Sequence, residues 1–535
     1  MFYKAALVSS LLMGLSAVGA ASSQIESDSM DDLGAWGQRY LSSNETELPT
    51  TLWRNSNDEF LLSLLRDLDA RELGPAERRL LRRIVLSPAT PPVGARAEDL
   101  LTERARLMLE LGEARATAAL VPQLEQAAPG LDAETLAVDL DLASGQEASA
   151  CGALEGEVRD GDYWWKLRAV CAVLRENYSG AQLAIEVASA QGVEDEWLVE
   201  AIFAASGDTP NPPGAKFDSG LNIALSSKAV LDTTRVTLAA DRPDLAAAAA
   251  QRPGVPAELR ARFAEIASSH ELISAEDRRE ILVARFEEEE FAPASAIEDA
   301  LYALQDPLTP DEDRAEKLAS VLRAAADASI IEYRTTSELF QPDLEAVPQN
   351  EATAPYALDF ARAALAANNA DLALSWLDAT TTEEDQAPDP YAVALVQASS
   401  IIATADPSPS ALRGAEKRLT SSVDSEEREA QAAQVFTAWT GLGLPLSPIA
   451  RDFVGGVPDR GERVGQGQVT SMKAALFGDA IAEAALMVLV TTNGEAERLA
   501  PSDLSELLEI LSMLDAKDIA RDLALETTEF WSAAE

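Results

Sequence analysis

Histidine is almost absent from this chain of 535 residues, because His270 is the single copy. A Ser-His-Asp or Cys-His nucleophilic site would have to use that one residue. Zinc binding through histidine and cysteine clusters is excluded by count, since there are also only two cysteines. His270 lies beside Ser269 and Glu271 at an expected helix end, where an exposed polar residue is ordinary. We therefore expect a non-catalytic protein with no metal site and no cofactor.

Aromatic residues are also scarce, at 5% of the chain, although hydrophobic residues make up 47%. Alanine- and leucine-rich chains with few aromatic residues form closely packed helices more readily than sheets, because strands favour branched and aromatic side chains. No alternating pattern of useful strand length is found. The composition predicts an all-α fold.

Positive charge is in short supply as well: 43 basic residues face 90 acidic ones, for a net charge of −47. Such a surface repels nucleic acid and anionic lipid, so neither is an expected partner. The acidic excess is spread along the chain. It is typical of a solvated surface, with a cation-binding role as the alternative.

Neither a calcium-binding loop nor a hydrolase site built from two carboxylates is indicated by a complete motif. Asp139-Leu-Asp141 resembles the start of a calcium loop, but Ala143 and Ala150 stand where ligand oxygens are required. A hydrolase based on two carboxylates stays open as an alternative, although so many acidic residues point to no particular pair.

Long apolar runs are confined to the first 20 residues. Lys4 precedes a mainly apolar stretch from Ala5 to Ala17, and Val18-Gly19-Ala20 offers small residues for cleavage near Ala20 or Ala21. This pattern predicts a signal peptide at 1–20 and a periplasmic or secreted protein. After cleavage we expect no stable membrane insertion.

The two cysteines, Cys151 and Cys171, are an even and closely spaced pair. In an exported protein such a pair predicts a disulfide. The polar run 159–162 between them is typical of a hairpin turn, so Cys151 would lie in the first helix and Cys171 in the second. A loop of this size should add about 3 kcal/mol of stability.

Helical periodicity and short turns recur along most of the chain. Three segments share a cadence of helix, polar turn and small residues: 174–184, 363–376 and 514–524. The cadence resembles the tetratricopeptide-repeat superfamily, although that family's Trp, Gly, Tyr, Ala and Pro positions do not recur at a steady 34-residue period. The resemblance implies an α-solenoid of antiparallel helical hairpins with irregular repeats.

A second resemblance rests on the signal peptide, the early helices rich in leucine and arginine, and the paired cysteines. Together they look like a group of uncharacterised secreted proteins of alphaproteobacteria, and this resemblance implies no particular activity.

Shifts in composition divide the chain. Closely spaced prolines at 209–214 exclude helix there, and glycine and proline are frequent at 442–470. The predicted segments are a signal peptide at 1–20, a flexible lead-in at 21–55, an N-terminal helical array at 56–208, a central helical array at 215–441, a Gly/Pro-rich loop at 442–470 and a C-terminal helical cap at 471–535.

Two features are candidates for partner binding. Arg78, Arg79, Arg82 and Arg83 occupy adjoining helical positions and form either a docking face for an acidic partner or a second copy, or a set of intramolecular ion pairs. Trp164 and Trp165 are adjacent on a helix and point in different directions, so one is a possible contact residue, with core packing as the alternative.

The sequence therefore predicts a helical-repeat scaffold that mediates protein-protein interaction in the periplasm or cell envelope, with self-association possible. An accessory subunit that binds a cell-wall polysaccharide or a polysaccharide-processing enzyme is the alternative.

Overall fold

The computed structural model describes residues 34–42, 45–124, 131–156, 159–207, 209–229, 231–238, 242–288, 291–380, 387–514 and 516–532. Of the described residues, 66% are helical and 3% lie in strands, which confirms the all-α prediction. The predicted signal peptide at 1–20 lies outside the described residues.

Twenty-six α-helices and two strands are found in the described part of the chain. Their bounds are α1 Asp58–Asp67, α2 Pro75–Leu86, α3 Ala97–Glu110, α4 Ala114–Leu120, α5 Ala133–Ala143, α6 Glu147–Gly152, α7 Asp162–Leu174, α8 Tyr178–Ala190, α9 Glu196–Ala205, β1 Gly214–Phe217, α10 Gly220–Lys228, β2 Asp232–Leu238, α11 Pro243–Ala250, α12 Ala257–Ser269, α13 Ala275–Ala284, α14 Ala296–Gln305, α15 Asp311–Ala328, α16 Ile330–Ala346, α17 Ala357–Ala366, α18 Ala370–Asp378, α19 Pro390–Ala403, α20 Pro409–Ser422, α21 Glu426–Gly441, α22 Pro448–Gly456, α23 Gln466–Phe477, α24 Ile481–Thr492, α25 Pro501–Met513 and α26 Lys517–Glu526.

Two of the segments that share the predicted cadence use the same turn between helices. After α7, Glu176 adopts a left-handed backbone with φ 61°, and the Asn177 side chain accepts the Gly180 N–H at the start of α8. After α17, Asn368 has φ 58°, and the Asn369 side chain accepts the Leu372 N–H of α18. A left-handed residue that ends one helix, followed by an asparagine cap for the next, accounts for the recurring polar turn.

The buried apolar side chains form two clusters. One draws chiefly on α1–α3 and α14–α26, and the other chiefly on α5–α13. The prolines at 209–214 interrupt the helices without dividing the second cluster, because Ala204 before them and Phe217 after them both belong to it. The described part of the predicted flexible lead-in is packed, since Trp36 and Trp53 are buried with ring centroids 5.6 Å apart.

The first helices of the chain pack against the last ones. Helix α1 contacts α24, and α2 contacts α26. The Glu526 carboxylate accepts the Ala76 N–H at 3.0 Å, at the start of α2, where helical N–H groups lack an internal partner. Glu77 accepts the Gly494 N–H at 3.1 Å. The two ends of the described helical array are therefore joined by partly buried hydrogen bonds.

Three short elements depart from the sequence prediction, which expected no strands and a loop over 442–470. Strands β1 and β2 form a parallel pair, and Phe217 of β1 packs on Phe263 at 5.1 Å between ring centroids. A strand as short as β1 leaves too few residues for alternation to be visible. Helix α22 lies within 442–470, where the Ser447 side chain accepts the Ala450 N–H and Pro448 occupies the first turn.

The predicted disulfide is present, and it links α6 to α7. Cys151 and Cys171 have Cα atoms 5.8 Å apart, and both are buried in the second cluster. This confirms the prediction that the two cysteines lie in consecutive helices. None of the described helices combines the length and apolar character needed to cross a membrane.

Candidate functional site

All four arginines of the predicted docking face make intramolecular contacts. Arg79 lies 2.7 Å from Asp522, Arg82 lies 2.5 Å from Glu113 and also pairs with Glu45, and Arg83 donates to Asp518 at 3.0 Å. Arg78 donates to the carbonyl oxygens of Leu73 and Ser269, at 3.0 and 2.9 Å. Arg79, Arg82 and Arg83 therefore form the intramolecular ion pairs of the alternative interpretation, whereas Arg78 is held by backbone carbonyls.

His270 is half-buried, which corrects the expectation of an exposed residue. Arg78 Nη1 lies 3.3 Å from its Nδ1. Arginine can only donate, so this contact requires Nδ1 to be the acceptor and places the ring proton on Nε2. Burial, together with the charge of Arg78, lowers the pKa of His270 to about 4. The imidazole is neutral at pH 7, and its lone pair faces an arginine.

The two adjacent tryptophans occupy different environments. Trp164 is buried in the second cluster, with its ring 5.5 Å from that of Tyr163 and 4.6 Å from the guanidinium of Arg159. Trp165 is half-buried, and Arg168 lies 4.3 Å from its ring centroid. Core packing describes Trp164, whereas Trp165 is partly accessible beneath an arginine.

The largest cavity among those described, about 520 Å³, lies where α21, α22 and the segments around 457–461, 496–502 and 527–529 meet. Ligand pockets typically have volumes of this order. We call it the α21–α22 groove; its lining residues are Glu427, Ala430, Gln431, Ala433, Gln434, Thr437, Val454, Val457, Pro458, Asp459, Arg460, Gly461, Glu497, Arg498, Leu499, Pro501, Ser502, Thr527 and Glu529.

Backbone hydrogen bonds hold one wall of the groove in place. Glu462 N–H donates to the Arg498 carbonyl at 2.8 Å, and Ala500 N–H donates to the Glu462 carbonyl at 2.8 Å. Gly461 has φ 132°, and a Cβ there would lie 2.7 Å from the Ala500 nitrogen. Only glycine fits this close approach without strain. The Asp459 carboxylate accepts the Ser502 hydroxyl at 2.5 Å and the Ser502 N–H at 3.3 Å.

The opposite wall is fixed by the first half of α21. The Gln431 amide donates to the Thr528 carbonyl at 3.0 Å, and the Tyr391 hydroxyl donates to the Gln431 side-chain oxygen at 3.0 Å. Gln431 thereby ties α21 to the chain that follows α26. Glu529, in that segment, has a left-handed backbone with φ 49°.

The charges of the groove are unevenly matched. Within the described residues, Glu427, Glu497 and Glu529 have no ion pair or side-chain hydrogen bond, whereas Arg498 lies 2.6 Å from Glu495 outside the groove and Arg460 lies 3.7 Å from Glu426. Burial, and then the negative charge of Glu497, raises the pKa of Glu529. The groove therefore carries an excess of negative charge.

A second carboxylate cluster lies where α2, α16 and α26 meet. Glu526 is 3.5 Å from Arg334, and its side chain is 13% exposed. Burial raises the pKa of Glu526 to about 8. The adjoining cavities hold only about 20 Å³ each, enough for about one water molecule. This cluster joins helices and leaves no room for an organic ligand.

Sequence reasoning missed the groove, because its residues come from four separated segments. The nearest signal was the Gly/Pro-rich character of 442–470, which contributes Gly461 and Pro458. Among the described residues no group of three or more His, Cys, Asp or Glu side chains is arranged to hold a metal ion. Comparison with family models, with curated proteins and with solved structures gave no match to this chain.

Proposed function

We propose that this protein is an exported, non-catalytic helical scaffold that binds another protein in the periplasm or cell envelope, and that the α21–α22 groove is its binding site. The observation that carries this proposal is the groove itself: about 520 Å³, apolar along Val457 and Leu499, and edged by carboxylates without ion-pair partners among the described residues. Apolar surface with a few polar groups is what a peptide-binding site needs.

The fold that presents the groove is proposed to be an array of antiparallel helical hairpins of the tetratricopeptide-like kind. Consecutive helices such as α7 and α8, or α17 and α18, pack together across short turns, which supports this arrangement. In an open solenoid each repeat contacts only its neighbours. The contacts of α1 with α24 and of α2 with α26 lead us to propose a closed array.

Export is supported by the disulfide, because such bonds persist in oxidising compartments. The proposal of a non-catalytic role is supported by His270, whose Nδ1 faces Arg78, and by the pairing of both cysteines. The single histidine and both cysteines, which nucleophilic sites often use, are thus occupied in structural contacts.

One observation favours a second candidate function, a carboxylate-based hydrolase. Glu497 and Glu529 both line the groove, and the raised pKa of Glu529 is a property expected of a general acid. Glu529→Gln should then abolish release of reducing sugars from cell-wall polysaccharide. If the polysaccharide binds without being cleaved, the accessory role in polysaccharide binding is favoured instead.

The scaffold proposal is tested by site-specific photo-cross-linking in the cell envelope. A cross-linking residue replaces Gln434 in the groove and, as a control, Glu194, which is exposed between α8 and α9. We expect defined cross-linked products from position 434 alone. Ala430→Trp, which fills the groove, should abolish them. Equal products from both positions, or products unaffected by Ala430→Trp, would contradict the proposed site.

A further inference from the structure

We infer that the α21–α22 groove selects an extended peptide segment that carries lysine or arginine side chains, so that the scaffold recognises basic stretches of its partner. This inference rests on the proposed function, since it names the chemistry of what the groove holds. Its basis is the charge balance, the apolar walls and the polar side chains of the groove.

The charge balance favours a cation. Glu427, Glu497 and Glu529 line the groove, and none of them has an ion-pair partner among the residues described. The two arginines of the lining, Arg460 and Arg498, each have a carboxylate nearby outside the groove. A basic side chain that enters would therefore meet carboxylates that have no cation of their own, whereas an acidic one would be repelled.

The apolar walls favour a long basic side chain over a small cation. Val454, Val457 and Leu499 line the same cavity as the three glutamates. Lysine and arginine have aliphatic stems that pack on apolar surface while their charged ends stay in polar surroundings. A bare metal ion or ammonium group would use the carboxylates alone and leave this apolar surface without a contact.

The side-chain amide of Gln434, which has no hydrogen-bond partner among the described residues, favours a peptide ligand over a polyamine. Gln434 lines the groove half-buried, and its side chain has no hydrogen bond to any residue that the structure describes. A glutamine amide both donates and accepts, which matches the N–H and C=O of a peptide unit. A polyamine offers donors only, so it would use only the acceptor of Gln434.

Binding of short fluorescein-labelled peptides to the full chain, followed by fluorescence anisotropy, tests the inference. One peptide alternates alanine with lysine, and matched peptides carry glutamate or glutamine in place of lysine. We expect the lysine peptide to bind at least about tenfold more tightly than the other two, with an affinity that falls as salt is raised.

Matched variants test whether the carboxylates of the groove are responsible for binding the lysine peptide. Glu497→Gln/Glu529→Gln should weaken binding of the lysine peptide by about tenfold or more, because two charges that face the ligand are removed. Glu194→Gln/Glu258→Gln removes two exposed carboxylates outside the groove and should leave the affinity unchanged. Gln434→Leu should weaken binding of the peptide more than binding of spermidine, because spermidine would use only the acceptor of that amide.

Any of three results would overturn the inference. The first is equal affinity for the lysine and glutamate peptides, and the second is an equal loss of affinity for the lysine peptide in the two double variants. The third is complete displacement of the labelled lysine peptide by an equal concentration of spermidine. Failure of this inference alone can be told apart from failure of the proposed function. If cross-linking from position 434 captures a partner that Ala430→Trp releases, while peptide charge has no effect, the groove still binds protein and only its preference for basic segments is wrong.

Discussion

Opening the Cys151–Cys171 bridge should lower the free energy of unfolding by about 3 kcal/mol. The two cysteines are separated by 20 residues in sequence, and closing a loop of that length restricts the unfolded chain by about this amount. Cys151→Ala/Cys171→Ala is the suitable variant, because both side chains are buried among apolar neighbours and alanine leaves no unpaired hydroxyl.

The decrease in melting temperature that corresponds to 3 kcal/mol depends on how much of the chain unfolds in one step. The bridge lies in the cluster built chiefly from α5–α13, roughly a third of the chain. If that part unfolds on its own, an unfolding entropy of about 2 cal/mol/K per residue converts 3 kcal/mol into a decrease of about 9 °C. If the whole chain unfolds in one step, the decrease is about 3 °C.

Differential scanning calorimetry with and without reductant measures this shift. Reductant should lower the melting temperature of the native protein and have no effect on the double alanine variant, which serves as its control. Thiol labelling of the unreduced native protein should find no free cysteine. A melting temperature that neither reductant nor the double substitution changes would refute the argument from loop closure.

Three further predictions concern single residues with close packing or hydrogen-bond contacts. Arg104 donates to the Val85 and Ser87 carbonyls at the end of α2 and is fully buried; Arg104→Ala should cost about 2–5 kcal/mol in urea unfolding, because it leaves a cavity and two carbonyls without their donor, and Arg104→Lys should not restore it. Gly461→Ala should cost about 1–3 kcal/mol and weaken ligand binding by the groove, since its Cβ would collide with the adjacent backbone; unchanged stability and binding would contradict this. The raised pKa of Glu526 means that the folded state keeps its proton longer than the unfolded state does. Stability should therefore fall as pH rises from about 4.5 to 8, and Glu526→Gln should lack this part of the slope; parallel pH profiles would contradict it.

Features that depend on residues close in sequence could be predicted. The disulfide joins consecutive helices, and the turns at Asn177 and Asn369 are set by local caps, so spacing and composition were sufficient. The helical content followed from abundant alanine and leucine with few aromatic residues.

Features that depend on residues far apart in the sequence could not be predicted from it. Arg79 and Arg83 look like an exposed patch until α26 places Asp522 and Asp518 against them. The groove brings together α21, the chain after α22, the segment before α25 and the residues after α26, and no local pattern indicates that they meet. The packing of Trp36 with Trp53 was likewise hidden by polar neighbours in sequence.

Cross-linking from position 434 in the cell envelope, with and without Ala430→Trp, tests the central claim most directly. We predict a defined partner that is cross-linked from the groove, is absent from the Glu194 control position and is lost when the groove is filled. A cross-linking pattern that is the same from both positions, or that Ala430→Trp does not change, would contradict the claim that this groove is where the scaffold binds.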